Sequence, residues 1–231
     1  MIKTANEGVR YRNGLEVANK TFSEDPLCIV DIIRTKANTV WMQWTYPFAG
    51  FGRSVSIHHS CDIYRSAANR IRIGDFVYLA HDVWLTIPEP GIGVPEAIIL
   101  ENGCKIGRRC MISAKNSVWL EPDVLLGPSV VITDHSHEFS NVDQPVTAQG
   151  LTAGGTVRIE RNCWIGYGAA IIGASGHLVV GRNSVIGANS VVTRSVPPFC
   201  VVGGNPAKIL KRYDSSQGKW IRGSGLSDAG Q

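Results

Sequence analysis

The sequence is short of several things, and each shortage closes off a class of protein. It has no apolar run of about 18 residues or more, so no hydrophobic helix is expected to cross a membrane. The opening stretch, MIKTANEGVRYRNG, lacks the apolar core of a secretory signal, which points to a cytoplasmic protein. Charge of one sign is not in excess: 23 Lys and Arg stand against 19 Asp and Glu, for a net charge of +4. That is too small to imply a nucleic-acid partner, and none is expected. Cysteines spaced as CxxC are missing. The six that are present (Cys28, Cys61, Cys104, Cys110, Cys163, Cys200) suggest neither a disulfide framework nor a zinc cluster.

The basic residues are unevenly placed. After Pro206, Lys208, Lys211, Arg212, Lys219 and Arg222 stand against only Asp214 and Asp228. Such a stretch either holds phosphates or is a solvated tail, and the residues alone leave both readings open.

What the sequence does contain is a repeat of six. Aliphatic residues recur at Ile73, Leu79 and Leu85, then at Leu100, Ile106 and Ile112. After a slip of two residues they recur at Leu120, Leu126 and Ile132, then at Ile159, Ile165 and Ile171, and finally at Val180, Ile186 and Val192. Four residues after most of these comes a second small or aliphatic residue, such as Val77, Cys104, Val124, Cys163 or Ser184. A helix would need spacings of three and four, and a sandwich would need longer strands. Period six predicts a solenoid of short parallel strands and tight corners, three hexads to a coil. The repeat runs from about Ile57 to Val196. The expected division is a cap segment over residues 1–52, the repeat over 53–200 with an inserted loop at 133–156, and a C-terminal extension over 201–231. The aromatic segment Val40–Tyr46 is expected to pack as a cap on the coil, since solenoids need closed ends. Ala207–Tyr213 is expected to form a short helix, followed by a mobile Ser- and Gly-rich tail.

Chemistry on a rigid scaffold sits where the repeat is interrupted. Interruptions fall at Pro88–Ala97, Thr133–Thr156 and Gly173–Leu178. The longest carries Asp134, His135, His137 and Glu138. A histidine suits proton removal from a weak nucleophile near neutral pH. A neighbouring carboxylate, Asp134 or Glu138, would hold its tautomer. Two histidines also suit a metal, but a third ligand would be needed; His58, His59 and His81 are candidates that nothing in their spacing demands. No metal is expected.

Three stretches together resemble the hexapeptide-repeat acetyltransferases: Ile132–Phe139 (ITDHSHEF), Val157–Gly173 (VRIERNCWIGYGAAIIG) and Val179–Leu210 (VVGRNSVIGANSVVTRSVPPFCVVGGNPAKIL). The likeness is to galactoside and maltose O-acetyltransferases and to the O-acetyltransferases of capsule and O-antigen. It implies an all-β fold, a left-handed parallel β-helix, working as a homotrimer with sites at subunit junctions. It implies an acetyl-CoA donor and a saccharide acceptor. His135, after Thr133-Asp134, takes the place of the family's base, with His137 as second choice; Asp134 stands where the galactoside branch has glycine. Trp164 matches the tryptophan near the cofactor's reactive end, and Gly166, Gly168 and Ala188 match the small residues whose amides meet the thioester arm. Thr193, Arg194 and Lys208 match residues near the nucleotide phosphates. A backbone N–H from near Gly166 or Gly168 would then stabilise the developing oxyanion. Two rivals share the coil: N-acetylation of a nucleotide-linked amino sugar, and a metalloenzyme similar to the γ-carbonic anhydrases.

Overall fold

A computed structural model describes residues 27–88 and 95–222. By its internal contacts the chain divides into Met1–Arg34 and Thr35–Gln231. In the first unit the described residues are Leu27 and the opening turns of helix α1 (Cys28–Thr45). The second unit holds the rest of α1 and all that follows.

The second unit is a parallel β-helix of three sheets. Among the described residues sheet I has six strands, sheet II nine and sheet III six. The hexads account for this arrangement directly. Register places Ile73, Leu100, Leu120, Ile159 and Val180 in one ladder of sheet I. Leu79, Ile106, Leu126, Ile165 and Ile186 form the matching ladder of sheet II. Leu85, Ile112, Ile132, Ile171 and Val192 form that of sheet III. All fifteen are buried, so one aliphatic residue per strand fills the centre of the coil. Removing a side chain such as Ile132 from this column costs about 2–5 kcal/mol.

Corners close the hexads with residues in the left-handed region. Between sheets I and II these include Asp123, Asn162 and Asn183; between sheets II and III they include Asp82, Arg109 and Asn189. Asn and Asp tolerate that backbone better than most side chains. Each corner is also held to the coil before it: Asn162 N donates to Pro122 O (3.0 Å), Asn183 N to Arg161 O (3.1 Å) and Asn189 N to Tyr167 O (2.8 Å). Gly166 has a different reason to be glycine. A Cβ there would lie 2.8 Å from Ala188 N and from Ile186 O in the next coil.

The corner cysteines are donors, not redox partners. Cys104 Sγ donates to Glu121 O (3.2 Å), Cys110 Sγ to Gly127 O (3.1 Å) and Cys163 Sγ to Gly181 O (3.2 Å). Ser184 Oγ does the same to Pro197 O (3.0 Å). Burial pushes the Cys104 thiol up to about 12, so it stays protonated and able to donate.

The aromatic segment lies at the end of α1, which stops just before Pro47. Thr39 and Met42 are its buried residues. Thr39 Oγ1 accepts from Ile57 N (2.9 Å), and Met42 joins the core beside Ile57. Tyr46, Phe48 and Phe51 carry the packing onward as successive ring contacts.

The C-terminal segment differs from the expected helix. Cys200–Gly203 joins sheet II in parallel, and Lys208–Asp214 then turns back on it as an antiparallel strand. Lys219–Arg222 pairs with Lys208–Asp214 in turn, so this part of the tail is a hairpin. The reason is tertiary. The last coil leaves a sheet edge with unpaired N–H and C=O groups, and a strand satisfies them where a helix cannot. Residues 223–231, the remainder of the expected tail, lie outside the described residues, as do residues 89–94 of the first interruption.

Candidate active site

The site forms where the repeat breaks twice at one level of the coil. Thr133 ends a strand of sheet III, and the chain leaves the coil until Gly154 starts the next strand of sheet I. The excursion is closed by its own arms: Glu138 N donates to Gly150 O (3.0 Å) and Thr152 N to Ser136 O (2.9 Å). One coil earlier, the two-residue slip at Lys115-Asn116 turns three successive amides inward. Lys115 N, Asn116 N and Ser117 N donate to the Asp134 carboxylate at 2.8, 2.8 and 2.7 Å.

Asp134 is fully buried, and His135 is 9% exposed. The carboxylate Oδ1 lies 2.8 Å from His135 Nδ1. Burial pushes the Asp134 carboxyl upward, but the bonds from His135 and from the three amides outweigh it and hold the group below the usual carboxylate range. An ionised Asp134 can only accept, so it assigns the Nδ1 proton to His135 and leaves Nε2 with the lone pair. Asn116 braces the same spot, its Nδ2 donating to Ala153 O and Gly155 O, both at 3.0 Å. Lys115 Nζ donates to Thr152 O (2.6 Å). Gly154 must be glycine here: its φ is +77°, and a Cβ would fall 2.9 Å from Asp134 O and 3.3 Å from His135 Cβ.

Of the four residues expected in the loop, Asp134 and His135 are brought together and the other two are not. His137 is exposed and bridges Leu151 across the loop. Glu138 Oε1 accepts from Phe139 N and Ser140 N, both at 2.9 Å, and those bonds hold its carboxyl low. It closes a turn rather than orienting a histidine. Lys115 and Asn116 were not expected. Their signal was in the sequence, as the two-residue slip between Ile112 and Leu120.

His58, His59 and His81 sit elsewhere, at the corner between sheets II and III in the first coils. The His58 and His81 rings stack 3.7 Å apart. Neither His135 nor His137 joins a group of converging metal ligands among the described residues.

Of the residues matched to the donor, Gly166, Gly168 and Ala188 lie at the II–III corner further along, whereas Thr193 and Arg194 lie at the III–I corner and Lys208 on sheet II. Trp164 is half-exposed on the outer face of sheet II, flanked by Leu125 and Val185. The amides of Gly166 and Gly168 are themselves occupied. Gly166 N donates to Ile186 O (2.8 Å) and Gly168 N to Pro128 O (3.0 Å), because both bonds hold adjacent coils together. The free amides belong to Ala188, itself one of the matched residues, and to Tyr167, between the two glycines. Among the described residues, the N–H groups of Tyr167 and Ala188 have no partner. Pro128 fills the same corner position one coil before Tyr167, so the coil itself does not need that N–H. Thr193, Arg194 and Lys208 are exposed.

No family model matches the chain. Curated relatives do. It is 28% identical over 129 residues to the putative lipopolysaccharide biosynthesis O-acetyl transferase WbbJ of Escherichia coli, covering 53% of this chain and 64% of that one. It is 24% identical to a probable acetyltransferase of Mycobacterium tuberculosis, covering 71% of this chain and 50% of that one. The match therefore spans about half to two thirds of these relatives. Among solved structures, the N-acyltransferase AntD of Bacillus cereus, in complex with dTDP and 3-hydroxybutyryl-CoA, superposes with a TM-score of 0.61 at 18% identity, covering 74% of this chain and 86% of that one. A hexapeptide-repeat-containing acetyltransferase of Vibrio cholerae gives a TM-score of 0.50 at 21% identity, covering 78% and 82%. In sequence this chain resembles the hexapeptide-repeat acetyltransferases, and it has their left-handed parallel β-helix.

Proposed function

We propose that the protein transfers an acetyl group from acetyl-CoA to a hydroxyl of a saccharide, with His135 as general base. The observation that carries this reading is the buried Asp134–His135 pair, held by three backbone amides at the mouth of the long loop. A coil stacked for stability alone has no use for a buried charge, which is costly unless it is bonded on every side.

In this reading His135 Nε2 takes the proton of the acceptor hydroxyl. The oxygen bonds to the thioester carbonyl carbon, the C–S bond breaks, and His135 returns the proton to the departing thiolate. The free amides of Tyr167 and Ala188 are suited to carbonyl oxygens of the donor, one of them the developing oxyanion. Trp164 would pack against the donor beside them. Thr193, Arg194 and Lys208 would meet its phosphates, where the planar fork of Arg194 suits bidentate contact.

The homotrimer supplies the missing geometry. His135 and the II–III corner lie at opposite edges of sheet III, so a second copy is needed to bring a base to a donor. The outer row of sheet III suits such an interface: Trp84, Met111, Val131, Ala170 and Val191 follow one another in register. The protein is read as acting in the cytoplasm, where acetyl-CoA is available. No helix of the described residues is long and apolar enough to cross a membrane.

The test is a calorimetric titration with acetyl-CoA, followed by an acceptor panel. Saturable binding with turnover on saccharide hydroxyls is expected. Turnover only on nucleotide-linked amino sugars would reassign the acceptor to an amine. Failure to bind millimolar acetyl-CoA would overturn the reading.

A further inference from the structure

The C-terminal hairpin is larger than closing the sheet requires. One strand, Lys208–Asp214, covers the edge left by the last coil, yet the chain adds a second, Lys219–Arg222, whose four residues are all exposed. Pairing of Lys211 with Arg222 and of Tyr213 with Trp220 puts two cations and two aromatic rings on one face. Lys211 also pairs with Val201, so this face continues the outer surface of sheet II.

The charge on the hairpin is unopposed. Its five cations form no ion pair among the described residues, whereas Arg53, Arg72 and Arg158 pair with Asp75, Glu96 and Glu121. The hairpin's own acid is occupied. Asp214 accepts from Ser216 N (2.9 Å), Ser216 Oγ (2.6 Å), Gln217 N (3.2 Å) and Gln217 Nε2 (2.7 Å), closing the turn. On the same face Leu210, lying over Gly203, is 51% exposed and Trp220 40%.

We propose that this hairpin docks the protein on an anionic phospholipid surface. Leu210, an aliphatic residue on this face, decides between partners. A free phosphate is held by cations alone, and a polynucleotide by cations and stacked rings. Leu210 gains only by leaving water for an apolar phase. A bilayer interface offers that phase beneath a layer of phosphates, with tyrosine and tryptophan at the depth between the two. The inference stands apart from the acyl-transfer reading, since it uses no residue assigned to the base, the amide corner or the phosphate contacts except Lys208, which its test leaves in place.

The experiment is flotation of the full chain with vesicles of phosphatidylcholine alone and of phosphatidylcholine mixed with phosphatidylglycerol. Binding is expected only to the anionic vesicles and should weaken as salt rises. Each cation near such a surface contributes about a fivefold gain in partitioning, so Lys211→Ala with Arg222→Ala should weaken binding roughly 25-fold. Trp220→Ala should weaken it while leaving the salt dependence intact. The affinity of the double variant for acetyl-CoA, measured in parallel, should not change. Equal binding to both vesicles, or none to the anionic ones, overturns the proposal. So does tighter binding to a single-stranded oligonucleotide, or a fall in acetyl-CoA affinity with the double variant, which would assign the two cations to the donor's phosphates.

Discussion

Two corners of the coil approach chemistry in opposite ways. The corner at Asp134 and His135 is made of side chains. It breaks the repeat, buries a charge, and surrounds that charge with amides from the coil before it. The corner at Tyr167 and Ala188 is made of backbone. It leaves the repeat intact and presents two N–H groups that stacking does not use. A solenoid can thus present polar groups either by interrupting its period or by sparing groups its period leaves over. The first route needs specific neighbours; the second needs only small side chains near the amide.

That difference predicts unequal responses to substitution. The largest effect is expected at the side-chain corner: His135→Ala should lower turnover roughly 10²–10⁴-fold, and should cost about 1–3 kcal/mol of stability because the buried Asp134 carboxylate loses a bond. Retained turnover would remove His135 as the base. Next comes the face joining the corners. Val131→Glu places a carboxylate in the outer apolar row of sheet III. Sedimentation should then show monomers, and turnover should be lost although both corners are intact in each copy. By contrast, Arg158→Ala on sheet I, where Arg158 pairs with Glu121 and lies over Trp119, should alter stability by no more than about 1 kcal/mol.

Asp134→Asn should cost about 1–3 kcal/mol, because the amides of Lys115, Asn116 and Ser117 lose an ionised acceptor. The sign with pH follows from the lowered carboxyl of the folded state. Its stabilising contribution is complete above the ordinary aspartate value, about 3.9, and is lost as pH falls through the lower folded value. Acid unfolding monitored by circular dichroism should therefore be shallower in the Asn variant. An unchanged acid limb would show that the pair is not coupled to folding.

Of the two corners, the backbone one gives the smaller effect. Ala188→Pro deletes one N–H where Pro128 shows that the coil accepts proline. Acetyl-CoA binding should weaken by about 1 kcal/mol, roughly fivefold, with melting unchanged. Equal affinity would mean that this amide does not meet the donor.

Much of this was legible in the residues. Each hexad aliphatic is a core residue, and Val77, Cys104, Val124 and Ser184 point inward as their offset of four implies. The pairing of Asp134 with His135 was one of the arrangements the loop allowed, and Glu138 was a plausible rival until its carboxylate was seen to cap its own turn. The two-residue slip at Lys115-Asn116 was visible as a break in the period. Its purpose was not, because the carboxylate it serves lies 18 residues on from Asn116.

The division between sequence and tertiary structure follows from the range of the interactions. A period of six is a local property, and it alone determined the coil, its three sheets and its buried ladder, since every strand repeats the same choice of inward residue. Which amides are free, which carboxylate orients the histidine and whether Lys208–Asp214 is helix or strand depend on the neighbouring coil. Gly166 shows this most plainly. The sequence marks it as small, but only the stacked structure reveals that its N–H is held by Ile186 and that the available donor is the residue beside it. Hydrogen bonds between coils join residues some 20 positions apart, and no local pattern records which of them is left over.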